Sequence, residues 1–479
     1  MAKYRLPVLT LSMIILTSIP LFTQAQERQK QKIDSVFNLL KQHINTKDVA
    51  AVYELTGVGL RKDLTSTNLQ KFLVQQIFPA GNIRESSLIS YADNTSKYKI
   101  DFTSLSLQLL LNLDKDDKIS LFLFQPYQSA VVLKNYPVAT SNAMASVEDK
   151  QVDAIARQYI QQKNTVALSI GIIKNGRLST YHYGETARGN GRLPNEKTVF
   201  EIGSITKTFT STLLAWYVNE GKLKLTDPVI RYLPDSVAAN TALQNITLLS
   251  LSNHTSGLPS LPENFNKQPG FEPLDPYKTF NKQAIFSYLK TCKLNTSPGE
   301  SYAYSNLAVA LLGAILEKVS GLTYEQMVNT IICKPLAMKS TAVKPSVTMK
   351  ALMVPAVYNA KGEPTPIWNF ADLAAHGGLK STIYDLLLYG RAQMELGNGK
   401  LAKAMQLTQE LTFDKQNKVG LAWHMVNSVG VAYNFHNGQT YGSSSYMAFN
   451  ADKKLLVIIL SNCSVSVDAT GNSLINRLQ

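Results

Sequence analysis

The feature that most constrains the fold is the presence of strand-like runs at both ends of a long C-terminal segment. Two runs open this segment, Val166–Ile173 and Leu178–Tyr183, joined by the turn Lys174–Asn175–Gly176. Four more precede a helical tail that starts at about Ala469: Val419–Met425, Val431–His436, Ser444–Asn450 and Leu455–Leu460. Because these runs bracket a mostly helical middle, the sequence predicts an α+β sandwich in which helices cover both faces of one antiparallel sheet.

A chain of 479 residues exceeds what one hydrophobic core usually fills, so two folded units are expected. Residues 26–127 show helical periodicity first, at positions such as Ile33, Leu40 and Ile44, and strand-like runs afterwards. This order predicts a small α+β accessory domain and resembles the cone-shaped domains of the nuclear-transport-factor-like kind. Residues 128–147 lack periodicity and are expected to form a linker, which leaves 148–479 for the larger domain.

The N-terminal residues indicate export. Lys3 and Arg5 precede an apolar stretch from Leu6 to Phe22, and small residues then lead to Ala25. This pattern predicts a signal peptide, residues 1–25, and a protein of the periplasm or the medium; an uncleaved N-terminal anchor is the alternative. No later run is long and apolar enough to predict a membrane span.

Charge, cysteine and histidine content exclude several classes of function. The formal charge of +14 is scattered along the chain, whereas nucleic-acid binding requires a concentrated basic patch, so no nucleic-acid partner is expected. Three cysteines are too few for a disulfide framework, although pairing of Cys292 with Cys333 stays open. The six histidines show no metal-binding spacing, and neither a metal nor another cofactor is predicted.

The first candidate for chemistry is Gly203–Lys207, which opens an apolar helical run. Ser204 lies near the helix N-terminus, where unpaired N–H groups and the helix dipole favour negative charge on its oxygen. Lys207, three residues on, returns to the same helix face, so its amine can reach the Ser204 hydroxyl and activate it. The spacing alone is weak, since it recurs at Ser96–Lys99 and Ser287–Lys290, and a helix cap beside a solvated lysine is the alternative.

Two further segments strengthen this interpretation. The turn at Pro298 leads into Tyr304-Ser305-Asn306 and an apolar helix; Tyr304 can pass a proton, and Asn306 can hydrogen-bond Lys207 and a substrate amide. The second segment, His436-Asn437-Gly438, ends a predicted strand. Gly438 allows close approach of a substrate backbone, and the N–H of Gln439 can join that of Ser204 in an oxyanion hole.

These three elements resemble the Ser-x-x-Lys, Tyr-x-Asn and Lys/His-x-Gly motifs of the serine β-lactamase and penicillin-binding superfamily. Class C β-lactamases, related esterases and D-alanyl-D-alanine carboxypeptidases look most similar. The segments His254–Leu258 and Gly377–Thr382 also resemble segments of this family. The resemblance runs from about Ser146 to the C-terminus and implies a β-lactamase or transpeptidase fold for the larger domain.

The resemblance implies a role for each residue. Ser204 is the acylated nucleophile, Lys207 its proton partner, and Tyr304 the general base that later protonates the leaving group. Asn306 orients the substrate, and His436 shapes the site through hydrogen bonds or charge. Many relatives that handle β-lactams have Lys-Thr-Gly where this chain has His436-Asn437-Gly438. Because histidine is mostly neutral at pH 7, attraction of a substrate carboxylate is expected to be weaker.

The resulting prediction is a serine hydrolase that cleaves an ester, a D-alanyl peptide or a β-lactam through an acyl-enzyme and needs no cofactor. A non-catalytic sensor that binds cell-wall peptides or β-lactams is the alternative. The sequence assigns no role to the accessory domain, and a homodimer stays open.

Overall fold

The computed structural model describes residues 18–103, 105–127, 132–294, 296–428 and 430–479. The chain divides into two compact units, residues 1–131 and 132–479. The predicted signal peptide falls partly on residues 1–17, which lie outside the described residues, and partly on the first turns of the first helix. It stays a prediction.

The first unit consists of helices followed by a four-stranded antiparallel meander. Its elements are α1 (Ser18–Thr46), α2 (Val49–Glu54), α3 (Val58–Asp63), α4 (Ser66–Phe72), β1 (Ile83–Ala92), β2 (Thr95–Phe102), β3 (Ser106–Leu113) and β4 (Ile119–Pro126). Helix α1 buries Ile33, Phe37, Leu40 and Ile44, one stripe at the helical period, against the sheet. The predicted order of helices before strands is therefore present.

The second unit contains the larger sheet. Its strands are β5 (Ala167–Lys174), β6 (Arg177–Gly184), β7 (Val199–Glu201), β8 (Val357–Tyr358), β9 (Pro364–Thr365), β10 (Lys380–Thr382), β11 (His424–Ser428), β12 (Val431–Gln439), β13 (Ser444–Asn450) and β14 (Leu455–Ser461). Six of these form one antiparallel sheet in the order β11-β12-β13-β14-β5-β6. Strand β5 pairs with β14, so segments from opposite ends of the unit close the sheet.

Helices cover both faces of this sheet. They are α5 (Val147–Ile160), α6 (Thr206–Asn219), α7 (Asp235–Ala238), α8 (Leu248–Ser252), α9 (Lys282–Leu289), α10 (Asn306–Ser320), α11 (Tyr324–Met327), α12 (Val347–Leu352), α13 (Ile383–Met394), α14 (Lys400–Thr408) and α15 (Asp468–Leu478). Alternate residues of β14 face α5 and α15 on one side and the cluster containing α6, α10 and α13 on the other. Each buried Leu or Ile side chain contributes about 1.5–3 kcal/mol. The predicted sheet between two helical layers is confirmed.

Two segments differ in detail from the sequence pattern. Residues 132–142 lie in the predicted linker, yet they are part of the second unit. The Lys134 amide donates to Gln161 O at 2.8 Å, and the Ser141 amide donates to His182 O at 2.9 Å. The predicted strand Val419–Met425 begins only at His424. Ala422 has a φ of +66°, which turns the backbone and prevents an extended run.

The three cysteines are buried free thiols, so Cys292 and Cys333 do not pair. Among the described residues, no single helix is long and apolar enough to span a membrane; one bent pair, Asn306–Ser320 with Tyr324–Cys333, passes that test only in combination.

Candidate active site

The nucleophile candidate lies at a tight turn between strand and helix. Strand β7 ends at Glu201, residues Gly203–Ile205 form one 3-10 turn, and α6 follows. Gly203 has a φ of +48°, in the left-handed region that favours glycine. A Cβ on Gly203 would lie 2.7 Å from the Gln439 nitrogen, so this turn and the end of β12 are in close backbone contact. The turn holds Ser204 half-buried at the start of α6, as predicted.

Lys207 is fully buried one helical turn beyond Ser204, and its amine contacts three oxygens. Nζ lies 2.9 Å from Ser204 Oγ, 2.8 Å from Asn306 Oδ1 and 2.5 Å from the His376 carbonyl oxygen. Burial holds the Lys207 pKa well below its usual value, which favours the neutral amine. A neutral amine has two N–H bonds and one lone pair.

The hydrogen-bond partners fix where that lone pair points. Asn306 Oδ1 and the His376 carbonyl can only accept, so they take the two N–H bonds of Lys207. The lone pair is left facing the Ser204 hydroxyl, which can donate to it. This arrangement is the one required of a base that removes the proton from Ser204.

Tyr304 completes the set around Ser204. Its phenol hydrogen-bonds Ser204, and its ring centroid lies 4.8 Å from Lys207 Nζ. Burial raises the pKa of Tyr304, although the Ser204 hydrogen bond opposes part of that rise. The phenol is therefore neutral at pH 7. A neutral phenol can donate or relay a proton, which fits delivery of a proton to the leaving group; the general-base role that the resemblance implies stays a prediction.

Asn306 is the first residue of α10, whose N-cap is Ser305. Its side-chain oxygen accepts from Lys207, as the sequence predicted. Its amide group hydrogen-bonds the Tyr277 hydroxyl. In this geometry Asn306 fixes the orientation of the Lys207 amine, and Tyr277 fixes that of Asn306.

The end of β12 supplies the second wall of the site. Pairing of β11 with β12 ends at Phe435, which leaves the edge from His436 to Gln439 unpaired within the described part of the chain. The Thr440 amide donates to Ser443 O at 2.9 Å. Because hydrogen-bonding direction alternates along an antiparallel strand, the Gln439 N–H points to the open edge beside Ser204. The two N–H groups predicted for an oxyanion hole are thus brought together.

Gly438 makes that approach possible. A Cβ at this position would lie 2.2 Å from Ile202 O and 2.9 Å from the Ser204 nitrogen. We expect Gly438→Ala to lower kcat by about 100-fold, because the added Cβ pushes the Ser204 turn away from β12 and separates the two proposed oxyanion donors. Measurement of kcat with p-nitrophenyl acetate for wild type, Gly438→Ala and Gly397→Ala provides the comparison. Gly397 is the control, because an added Cβ there meets no atom within 4 Å; equal losses in both variants would contradict the expectation.

His436 lies beside Lys207 but is not a cation. Its ring is fully buried, and burial, followed by the neighbouring His424 and Lys207, holds its pKa well below the usual value. Nδ1 lies 2.6 Å from the Asn437 carbonyl, which can only accept, so Nδ1 carries the proton. Of the two roles expected for His436, hydrogen bonding fits this geometry and attraction by charge does not.

Three further histidines surround the site. The His254 ring lies 4.4 Å from that of Tyr304, and its Nδ1 accepts from the Ser305 amide at 3.2 Å. His424 packs against His436 at 5.4 Å between ring centroids. Burial lowers the pKa of His424 to about 4 and that of His376 to about 3. His254 begins the segment His254–Leu258, and His376 directly precedes the segment Gly377–Thr382, both of which resemble the family. No sequence pattern indicated a role for His424.

Comparisons with known proteins agree on one family. A protein-family model described as Beta-lactamase matches residues 152–478. A β-lactamase of Pseudomonas fluorescens is 28% identical over 348 residues, which cover 65% of this chain and 92% of that protein. The D-alanyl-D-alanine-carboxypeptidase/endopeptidase AmpH of Escherichia coli strain K12 is 31% identical over 289 residues, or 57% and 72% of the two chains. A solved β-lactamase/D-alanine carboxypeptidase from Pseudomonas syringae has 26% identity and a TM-score of 0.61, and covers 69% of this chain and 99% of its own.

Proposed function

Because the chain belongs to the β-lactamase family and is a serine hydrolase, we propose that it cleaves ester or amide bonds through an acyl-enzyme on Ser204. The observation that carries this proposal is the buried Lys207 amine, whose lone pair faces the Ser204 hydroxyl because its two N–H bonds are taken by Asn306 and His376. Without that orientation the hydroxyl is a poor nucleophile at neutral pH.

In the proposed acylation step, Ser204 Oγ attacks the carbonyl carbon and its proton passes to Lys207. The N–H groups of Ser204 and Gln439 stabilise the oxyanion. Tyr304 gives its proton to the leaving group as the bond to that group breaks, and it regains a proton from Lys207 by way of Ser204 Oγ, which hydrogen-bonds both side chains. Water then attacks the acyl-enzyme by the same proton path in reverse, which releases the acid and restores the Ser204 hydroxyl.

Three substrate classes fit this chemistry: esters, D-alanyl peptides and β-lactams. The relatives named above are β-lactamases and a D-alanyl-D-alanine-carboxypeptidase/endopeptidase, which supports the last two classes. The neutral, buried His436 supports esters and peptides without a carboxylate at that end of the site, since it offers no cation there. We therefore place uncharged esters and internal peptide bonds ahead of β-lactams.

We also infer export to the periplasm or the medium from the predicted signal peptide. Residues 18–127 lie outside the segment matched by the family model and carry none of the proposed site residues. Their role, including a homodimer, is tested by removal of residues 26–131 and measurement of oligomer mass and turnover.

The test of the proposed function is turnover of p-nitrophenyl acetate, nitrocefin and a D-alanyl-D-alanine peptide by the purified protein, with intact mass measured during reaction. We expect turnover of the acetate and a transient mass increase of one acetyl group on Ser204. Turnover of none of the three would contradict the proposed function. A stable adduct without turnover would point to the sensor role that the sequence left as the alternative.

A further inference from the structure

His254 contacts the chain on both sides of Tyr304. Its carbonyl oxygen accepts from the Ala303 amide at 2.8 Å, and its Nδ1 accepts from the Ser305 amide at 3.2 Å. Residues 303 and 305 are the neighbours of Tyr304 in the chain. One residue of another segment therefore holds the backbone before and after the proposed proton donor.

The His254 ring also restricts the Tyr304 side chain. The two ring centroids are 4.4 Å apart, and Lys207 Nζ lies 4.8 Å from the centroid of the same Tyr304 ring. Because the hydroxyl of a tyrosine lies on the axis of its ring, packing that restricts the ring also restricts the direction of the hydroxyl. The Tyr304 hydroxyl hydrogen-bonds Ser204, so the contacts of His254 bear on the position of that bond.

The backbone of His254 is held in an uncommon conformation. Its φ is +62°, in the left-handed region that few residues other than glycine adopt, and its side chain is fully buried. Strained conformations of this kind persist where the surroundings fix them, and they are concentrated at functional sites. The turn around His254 is also anchored by its neighbours, since Thr255 Oγ1 donates to Asn253 Oδ1 at 2.6 Å and Asn253 Nδ2 donates to Thr412 Oγ1 at 3.2 Å. A change of the His254 side chain alone should therefore leave the turn in place.

The protonation of His254 argues against a role in proton transfer. Nδ1 accepts a hydrogen bond, so the proton of the neutral ring is on Nε2. Burial, followed by the nearby Lys207, holds the pKa of His254 well below its usual value, which keeps the ring neutral. Nε2 has no hydrogen-bond partner among the described residues, so the ring does not link Ser204 to a described acid or base. His254 therefore acts on the reaction through the residues that it holds.

We propose that His254 is a positioning residue that holds the Tyr304 phenol where it can protonate the leaving group. The inference rests on the proposed function and adds to it a residue that affects which substrates are cleaved. A leaving group that is a weak base departs without a proton, whereas an alkoxide or an amine must receive one. His254 is therefore needed for alkyl esters and peptides and matters much less for activated aryl esters.

The test compares p-nitrophenyl acetate with p-nitrobenzyl acetate. The two esters share the acyl group and the nitro-substituted ring, but only the second releases an alcohol that must be protonated. His254→Asn keeps an acceptor near the position of Nδ1 and tolerates a positive φ, but it removes the ring from Tyr304. We expect it to lower the p-nitrobenzyl-to-p-nitrophenyl ratio of kcat/KM by about 10-fold, a part of what a positioned general acid contributes.

Two comparisons separate positioning from loss of structure. His182→Asn is the matched control, because His182 is also a buried histidine, its Nδ1 lies 3.0 Å from Ser169 Oγ on the sheet, and it carries no part of the site. It should leave the ratio as in wild type. Tyr304→Phe has no proton to deliver, so addition of His254→Asn to Tyr304→Phe should change the ratio no further. A merely structural loss would lower the turnover of both esters alike.

His254→Phe keeps the test independent of whether one variant folds. It retains a ring beside Tyr304 but loses the bond to Ser305, and we expect it to lower the same ratio by about 3- to 5-fold. Thermal unfolding checks the fold of each variant. An unchanged ratio in a folded His254 variant, or a further 10-fold fall when His254→Asn is added to Tyr304→Phe, would overturn the positioning role while the proposed function stands. Turnover of neither acetate by the wild type would contradict the proposed function itself.

Discussion

Replacement of Ser204 by alanine is expected to lower kcat for every substrate by roughly 10⁴- to 10⁶-fold, the range found when a catalytic serine is removed from other hydrolases. The reason is that the acyl group then has no oxygen to which it can be transferred, while the oxyanion donors and the fold remain. Steady-state kinetics with p-nitrophenyl acetate gives the loss, and labelling with a fluorophosphonate gives the modified residue.

The chain offers a matched control for this experiment. Ser287 lies on α9, three residues before the C-cap residue Lys290, and so repeats the Ser-x-x-Lys spacing. Its side chain is exposed, and it belongs to a part of the sequence far from β12. Ser287→Ala should retain kcat within about twofold and should be labelled at Ser204 as the wild type is. Equal labelling of Ser204→Ala and wild type would show that another residue is the nucleophile.

The second large effect is expected for Lys207→Met, which keeps the length and apolar stem of the side chain but removes the amine. We expect kcat/KM to fall by roughly 10²- to 10⁴-fold, the usual contribution of a positioned base. At an ordinary lysine pKa, about one amine in a few thousand is neutral at pH 7, so the lowered pKa of Lys207 is what makes the base available.

The pH profile separates loss of the base from loss of structure. The Lys207 amine is neutral above its lowered pKa and protonated below it. Wild-type kcat/KM should therefore fall on acidification through the Lys207 pKa, and this acid limb should be absent in Lys207→Met. The buried histidines His376 and His424 have pKa values of about 3 and 4, so neither of them titrates near neutral pH. A Lys207→Met profile parallel to that of wild type would contradict the assignment; Lys290→Met is the matched control.

The central strands of the larger domain could be predicted from short apolar runs, because a strand covered by helices on both faces is buried at every position. The predicted Ser444–Asn450 coincides with β13, and Leu455–Leu460 lacks only the last residue of β14. The same signal wrongly predicts a strand over Val419–Met425, where β11 begins only at His424. Val419, Leu421 and Trp423 have the alternating apolar spacing of a strand, but Gly420 and Ala422 between them are buried too, and the backbone turns at Ala422. Burial patterns report which side chains are inside, not which amides pair.

The site was predictable to the extent that its contacts are local or belong to motifs. Ser204 and Lys207 approach each other because residues three apart share a helix face. The orientation of the amine depends on the His376 carbonyl, a backbone atom that no side-chain pattern reveals, and on Tyr277, which fixes Asn306. The expectation that Tyr304 is a base also could not be checked in the sequence, since the rise in its pKa comes from burial that only the folded chain creates.

The contact between the nucleophile turn and the sheet has a consequence for how activity is acquired. The Ser445 hydroxyl donates to Ile202 O at 2.8 Å across 243 residues of chain, and Gly438 and Gln439 come from the same distant segment. Contacts that close such long loops form late, since their entropic cost must be met before they stabilise anything. We therefore expect a chain still emerging from the ribosome to hold Ser204 without the proposed oxyanion hole and to stay inactive until its final strands are in place.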